Sequence, residues 1–273
     1  MLEFNGKEVD LGRFPDGTLH LKPDEWQMLE SSQEVRPAIT WRYENDAELF
    51  ALCSIARHVQ KYCPVVDLFM PYIPNARMDR VKNSGDVLTL KHFAEIINLL
   101  GFGEVSVLDP HSTVSEALIE RIVCISPRFY INLALNEINK SYEDSDVGLL
   151  MFYPDEGAMK RYSEMIDLPY AFGVKKRDWK TRKILRLKVV NKENLVPGQS
   201  VLIVDDICST GDTLYYSAKA LKELGVGDIF LYVTHCENTV LKGRLLDSGL
   251  IEKIFTTDSI CTAEHEKIVK FAL

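Results

Sequence analysis

The sequence predicts an α/β protein of two similar domains, each a parallel-type sheet flanked by helices. Three observations predict it. Short apolar runs alternate with stretches of helical periodicity. Polar clusters follow the carboxyl ends of those runs. A polar stretch, Asn139 to Asp146 (NKSYEDSD), divides the chain near its middle. Strands alternating with helices imply parallel sheets covered on both faces, and such sheets bind ligands at the carboxyl ends of their strands.

In chain order, Val65 to Met70 reads as a buried strand. Leu90, Phe93, Ile97 and Leu100 fall at helical spacing, and Gly101 is their stop. Glu104 to Leu108 is a strand ending at Asp109-Pro110-His111, and Gly148 to Phe152 is a strand that stops at Tyr153-Pro154-Asp155-Glu156-Gly157. Val201 to Val204 is a strand closed by Asp205-Asp206, followed by a helix from about Thr213 to Leu224 capped by Gly225, and by a strand over Ile229 to Val233. With 139–146 as the linker, the domains are 1–142 and 143–273, and the last residues are expected to pack back on the first domain. The arrangement leaves a cleft between the halves.

Composition narrows the class. A chain of 273 residues, 46% hydrophobic and 26% charged, has ample material for globular cores. A formal net charge of −8 argues against duplex nucleic acid as a partner. No apolar run reaches the length of a membrane span, and Met1-Leu2-Glu3-Phe4 does not open a signal peptide. The six cysteines make no C-x-x-C pair and sit mostly among apolar neighbours. They read as reduced core thiols of a cytoplasmic protein.

The segment with the most chemistry is Val201 to Thr213 (VLIVDDICSTGDT). An apolar strand delivers Asp205 and Asp206, and a loop of Ser209, Thr210, Gly211, Asp212 and Thr213 opens a helix. Backbone amides at a helix N-terminus, with hydroxyls beside them, make an anion site. Adjacent carboxylates suit a ribose diol or a magnesium ion. A tight turn with an N-cap would use similar residues; the whole strand–carboxylates–loop–helix order favours the anion site. Lys175 to Lys188 (KKRDWKTRKILRLK) is basic in an acidic chain. It could be a solvated face or a nucleic-acid patch. Its place between the Asp155 turn and the Asp205 loop points instead to a mobile catalytic loop that closes over a polyphosphate.

The 201–213 segment resembles the phosphoribosyl-pyrophosphate (PRPP) loop of type I phosphoribosyltransferases and PRPP synthetases. Other segments favour the synthetases. Phe14-Pro15-Asp16-Gly17 is similar to their F-x-D-G-E element, and Pro71-Tyr72 with Ala76-Arg77-Met78-Asp79-Arg80 to P-Y-x-x-Y-A-R-Q-D-R. Asp109-Pro110-His111 resembles D-L-H. Pro154-Asp155-Glu156-Gly157 with Lys160-Arg161 resembles P-D-x-G-G-x-x-R-A. Lys175-Lys176-Arg177 is similar to K-R-R, and Thr234-His235 to T-H-G. The matches keep the family's order across nearly the whole chain.

The resemblance implies transfer of the β,γ-pyrophosphate of MgATP to the C1 hydroxyl of ribose 5-phosphate. It implies Lys175 and Arg177 at the transition state and Mg2+ on His111 and Asp155. It places Phe14, Asp16, Thr18, Arg77, Met78 and Asp79 in the ATP site. Asp205 and Asp206 would hold the ribose hydroxyls, with Ser209 to Thr213 on the 5′-phosphate. It also implies a homo-oligomer, dimer or hexamer, in which the Phe14 segment serves a neighbour's ATP site. No nucleic acid and no membrane are expected as partners.

The chain departs from the pattern at several points. Thr18 stands in place of Glu, Met78 in place of Gln, and the loop reads S-T-G-D-T instead of D-T-x-G-T. The family's first strand and helix read as missing or shortened. A carboxylate at Asp212, if it points into the loop, repels a terminal phosphate dianion more than a diester. This leaves ADP-ribose, the acceptor ascribed to relatives in a phage NAD salvage route, as an alternative. A regulatory homologue and a nucleobase phosphoribosyltransferase are the further alternatives. The first is disfavoured by Lys175, Arg177, His111 and Asp155 standing together, the second by the ATP-type elements.

Overall fold

The computed structural model describes residues 1–21, 36–140, 148–177 and 184–273, with the backbone alone for 175–177 and 184–186. The chain forms two compact units, Met1–Ser126 and Pro127–Leu273.

The first unit runs β1 (Leu2–Phe4), β2 (Lys7–Glu8), β3 (Leu11–Arg13), β4 (Leu19–Leu21), β5 (Ala38–Trp41), α1 (Ala47–Val59), β6 (Asp67–Phe69), α2 (Thr89–Leu100), β7 (Val105–Leu108), α3 (Thr113–Leu118) and β8 (Ile122–Ile125). Its main sheet has the order β2-β1-β5-β6-β7-β8. The strands β5 to β8 pair in parallel, and β1 adds to β5 antiparallel. The expected helix is α2, with Leu90, Phe93, Ala94, Ile97 and Leu100 buried as its spacing requires. It ends at Gly101, whose φ of +67° is the left-handed conformation a C-terminal glycine supplies. Ile39, Trp41, Leu52, Ile55, Leu68 and Val107 join these residues in one core.

The second unit runs α4 (Arg128–Lys140), β9 (Leu150–Tyr153), α5 (Glu156–Tyr162), β10 (Tyr170–Arg177), β11 (Ile184–Val190), β12 (Val201–Cys208), α6 (Asp212–Glu223), β13 (Ile229–Cys236), β14 (Lys253–Thr257) and β15 (Ile268–Phe271). The sheet order is β11-β10-β9-β12-β13-β14-β15. All neighbours are parallel except β10 and β11. Alternation along the central strands separates two cores. Leu150, Phe152, Val201, Ile203, Leu231 and Val233 face α6 through Leu214, Ala218 and Leu221. Met151, Tyr153, Leu202, Val204 and Tyr232 face α4 and α5 through Ile131, Ala134, Ala158 and Tyr162. Strands buried on both sides read as continuous apolar runs, which is why they were legible in the sequence.

Three expectations are corrected. The units divide at Ser126/Pro127, earlier than the boundary at 142. The reason is that α4 buries Ile131, Ala134 and Ile138 in the second unit's core. Of the expected linker, residues 141–146 lie outside the described residues. The chain's last residues, expected to pack back on the first domain, form β15 and pair with β14 from Ile254↔Ile268 to Thr257↔Phe271. Finally, Asp205 and Asp206 do not close their strand. Pairing continues through Ile207↔His235 and Cys208↔Cys236, so both carboxylates stand within β12.

Candidate active site

In the first unit, the segment with Phe14, Asp16 and Thr18 is the tip of the β3–β4 hairpin. The amide of Phe14 donates to the Thr18 carbonyl at 2.9 Å, and that of Gly17 (φ +85°) donates to the Phe14 carbonyl at 2.8 Å. Asp16 Oδ1 accepts from the Thr18 amide at 3.0 Å and its hydroxyl at 2.7 Å. Those two bonds, the amide first, hold the Asp16 carboxyl below its ordinary range. Thr18, a departure from the family pattern, thus serves the turn itself. Leu11, Leu19 and Leu21 pack the base of the hairpin on the core. The Phe14 ring is 49% exposed and stacks on His20 at 4.3 Å, so an aromatic platform stands at an otherwise polar tip.

Two other segments of this unit come together at the end of the parallel strands. The Leu108 amide donates to the Pro71 carbonyl at 3.1 Å and the Asp109 amide to the Ile125 carbonyl at 3.0 Å. The buried Asp109 has φ +45°, an uncommon value for a residue with a side chain. The strand therefore turns sharply before His111. Asp79, buried, accepts from Arg80 Nε at 2.8 Å and Nη2 at 3.0 Å. Arg80 is the main reason the Asp79 carboxyl lies below its ordinary value; burial opposes the shift, while Ser112 and His111 add to it. Asp79 and His111, expected in the ATP site and on magnesium respectively, thus lie within electrostatic reach of each other. Arg77 is exposed and Met78 half-buried on the same turn.

In the second unit, Asp155 is the N-cap of α5, its Oδ1 accepting from the Ala158 amide at 3.0 Å. The same helix carries Arg161 near its end, and Arg161 Nη1 lies 3.1 Å from Asp206 Oδ2. Thus α5 ties the Asp155 turn to the carboxylate pair of β12. Asp205 is half-buried and its Oδ1 accepts from the Asp206 amide at 3.1 Å. The pairing of Arg161 with Asp206 was not anticipated; in sequence it is only one more basic residue on a short helix.

The loop after β12 is held from one side by the segment 237–245. Ser209 Oγ lies 3.2 Å from Thr239 Oγ1, which donates to Glu237 Oε2 at 3.1 Å. Gly211 caps α6 with φ +79° and has no side chain to cap the helix's first amides. A Cβ on Gly211 would meet Leu245 Cδ2 at 2.7 Å, so glycine is required there twice over. Asp212 does not lie over the loop: it is exposed and accepts from Arg244 Nη2 at 3.1 Å. Thr213 is half-buried on the first turn.

Beneath the loop lie Cys208, Cys236 and Cys261, all buried and unbridged. Contact with Cys208 raises the Cys236 thiol, and contact with Cys236 raises the Cys261 thiol, burial adding in both. Neutral packed thiols suit a structural role. His235 is buried with Nδ1 2.8 Å from Ser259 Oγ. Thr257 Oγ1 donates to the Thr234 carbonyl at 2.7 Å, so Thr234 and His235 brace the ends of β13 and β14.

The basic segment is corrected in part. Residues 175–177 and 184–188, read as loop, are strand: Lys175 pairs with Leu187, Lys176 with Arg186 and Arg177 with Ile184, with a register shift at Lys176/Arg177. Residues 178–183, and the side chains of Lys175 and Arg177, lie outside the described residues. The β10 backbone is nevertheless fixed to the Asp155 turn, since a Cβ on Gly173 would meet the Pro154 carbonyl oxygen at 2.7 Å.

Among the described residues, no group of three or more His, Cys, Asp or Glu is placed to hold a metal ion. The expected pair stands in different units, His111 in the first and Asp155 in the second. Magnesium commonly binds through one or two carboxylates and the phosphates of a substrate. Asp155, with one oxygen engaged as a cap, and Asp205, half-buried beside it in the sheet order β9-β12, fit that mode of binding.

A parallel sheet with a carboxylate pair within its central strand β12, then a glycine-capped loop opening a helix, defines the second unit as type I phosphoribosyltransferase-like. A phosphoribosyl transferase domain model matches residues 159–264. The fold of the chain is that of the crystal structure of phosphoribosylpyrophosphate synthetase from Mycobacterium smegmatis. Their TM-score is 0.74, with 97% of this chain and 86% of that one covered at 17% identity. In sequence the chain is 28% identical over 231 residues to ribose-phosphate pyrophosphokinase of Pyrococcus abyssi, covering 83% of this chain and 75% of that one. It is 27% identical over 256 residues to the Thermosipho africanus protein of the same name, covering 93% and 78%. Over most of its length the chain is thus similar to proteins named ribose-phosphate pyrophosphokinase. No helix among the described residues is long and apolar enough to cross a membrane.

Proposed function

We propose that this chain is an ATP-dependent pyrophosphokinase that transfers the β,γ-pyrophosphate of ATP to the C1 hydroxyl of ribose 5-phosphate, giving PRPP and AMP. The observation that carries the reading is the second unit's constellation: Asp205 and Asp206 within β12, then a glycine-capped helix N-terminus a few residues on. The carboxylates suit the ribose hydroxyls, and the loop 209–213 suits the 5′-phosphate. Similarity to the named pyrophosphokinases over most of the chain supports the ATP half.

In this reading Lys175 and Arg177 neutralise charge on the transferring group. Magnesium, when bound, would screen the polyphosphate; in the second unit Asp155 is its proposed ligand, with Asp205 on the neighbouring strand β12. Phosphoryl-type transfer depends mainly on positioning and electrostatics, so these residues orient and stabilise rather than react covalently. The adenine is assigned to the hairpin Phe14–Thr18, with Arg77, Met78 and Asp79 at the triphosphate end.

The chain is proposed to act as a homo-oligomer, each Phe14 hairpin completing a neighbour's ATP site. Phe14→Ala should raise the KM for ATP by roughly tenfold, the loss expected for a base-stacking aromatic. At ATP well below the KM, a mixture of Phe14→Ala and Lys175→Ala protein should be more active than the sum of the two homo-oligomers. Kinetics on the mixture check this, and additive activities would mean that each hairpin serves its own chain.

A second reading keeps the reaction and changes the acceptor to ADP-ribose. One observation favours it: beside the loop stand Arg244 and the Tyr215 and Tyr216 rings, cation and aromatic surface suited to a further phosphate and a base. Comparing kcat/KM for the two acceptors decides. A hundredfold preference corresponds to about 2.7 kcal/mol of transition-state binding.

A further inference from the structure

Asp212 is the first residue of α6, directly behind the Gly211 cap. A carboxylate there is drawn to the same first-turn amides that the phosphate reading assigns to the acceptor, because a helix N-terminus carries partial positive charge. In the structure it goes elsewhere, to Arg244 at 3.1 Å. Arg244 is itself held in place. Its guanidinium carbon lies 4.2 Å from the centroid of the Tyr215 ring and 4.8 Å from that of Tyr216.

The residues on either side of Arg244 are clamped to the loop. A Cβ on Gly243 would come within 1.9 Å of the Thr210 carbonyl oxygen, so the two backbones are in direct contact there. Leu245 covers Gly211 on the other side. The Asp212 and Arg244 side chains are 63% and 49% exposed. Exposed ion pairs add little to stability. The consequence of this pair is therefore where the Asp212 carboxylate sits.

We propose that Arg244 is a positioning residue for the acceptor: it holds Asp212 away from the mouth of the loop 209–213 and leaves the α6 amides to the acceptor's phosphate. The inference rests on reading that loop as the acceptor-phosphate site. It also answers how a loop with an aspartate in it takes a phosphate dianion.

The test is calorimetric titration of ribose 5-phosphate, without ATP, into the wild type, Arg244→Ala, Asp212→Asn and the double variant. Arg244→Ala should weaken binding about tenfold, since a released carboxylate competes with and repels the dianion. The double variant should return to within about twofold of wild type. The loss should shrink as salt is raised. At saturating acceptor, kcat of Arg244→Ala should stay within about twofold of wild type, a KM-against-kcat split that a general structural defect does not give. Equal weakening in the single and double variants would mean that Arg244 touches the acceptor itself, and wild-type affinity in Arg244→Ala would mean that it does nothing; either result overturns the proposal. If the wild type does not bind ribose 5-phosphate, the functional reading fails, and the same four proteins are titrated with inorganic phosphate. The same order of affinities would then support the inference, and equal affinities or no binding would overturn it.

Discussion

Lys175→Ala is expected to lower kcat by roughly a hundredfold or more, with ATP affinity nearly unchanged, as loss of a contact made only in the transition state does. The expectation rests on position. β10 lies beside β9, with Phe172 paired to Tyr153 just before the Asp155 turn. Gly173 then packs so closely on the Pro154 carbonyl that no larger residue fits without a shift. Lys175 follows on a backbone paired with Leu187. The Lys175 backbone is therefore held in register with the turn that presents Asp155. Single-turnover kinetics with saturating ATP and acceptor measure the effect. Lys175→Arg should recover part of the rate, since it returns the charge with a different shape. A kcat within threefold of wild type in Lys175→Ala would remove Lys175 from the chemistry.

The second large effect is expected at Gly211. An added methyl group meets two obstacles. The left-handed conformation at φ +79° costs a residue with a side chain about 1–2 kcal/mol. The Cβ would also lie 2.7 Å from Leu245 Cδ2, a buried side chain with little room to yield. The loop must move, and with it the α6 amides. Gly211→Ala should therefore lower kcat/KM for the acceptor by roughly tenfold or more and lower the Tm by about 2–4 °C for each kcal/mol lost. Gly198→Ala separates the two causes. Its φ is +80°, but nothing lies within 4 Å of the Cβ position and it is remote in sequence from the loop. It should lose stability by a similar backbone term and keep its kcat/KM. If Gly211→Ala keeps wild-type acceptor kinetics, the loop does not hold the acceptor phosphate.

Much of this arrangement was legible in the sequence because buried parallel strands and amphipathic helices leave plain patterns. Leu150–Tyr153, Val201–Val204 and Ile229–Val233 are apolar without interruption because both faces are covered. The spacing in α2 and its closing Gly101 marked a helix and its end. The hairpin of β10 and β11 was misread because its composition is basic. It forms one edge of the sheet, where charged residues are common and apolar alternation is weak. β2, only Lys7–Glu8 and exposed on both residues, has no periodicity to read.

The site shows the same division. Asp155 and the loop could be found because each sits where a helix starts, and Asp205 and Asp206 because they interrupt an apolar run just before that loop. Arg161 and Arg244 could not, because their partners lie far along the chain and are set by the fold. Asp212 shows what such a partner changes. The sequence allowed its carboxylate to lie over the phosphate site, and Arg244 draws it to solvent.

The central claim is that the chain moves a pyrophosphate as one unit, and the mass of the products tests it most directly. The protein is incubated with ATP, magnesium and ribose 5-phosphate, and separately with ADP-ribose, and the products are resolved by mass spectrometry. AMP is expected in equal amount with an acceptor heavier by two phosphoryl groups, in the ribose 5-phosphate reaction first. ADP with an acceptor heavier by one phosphoryl group would contradict it, as would no acceptor-dependent consumption of ATP with either sugar.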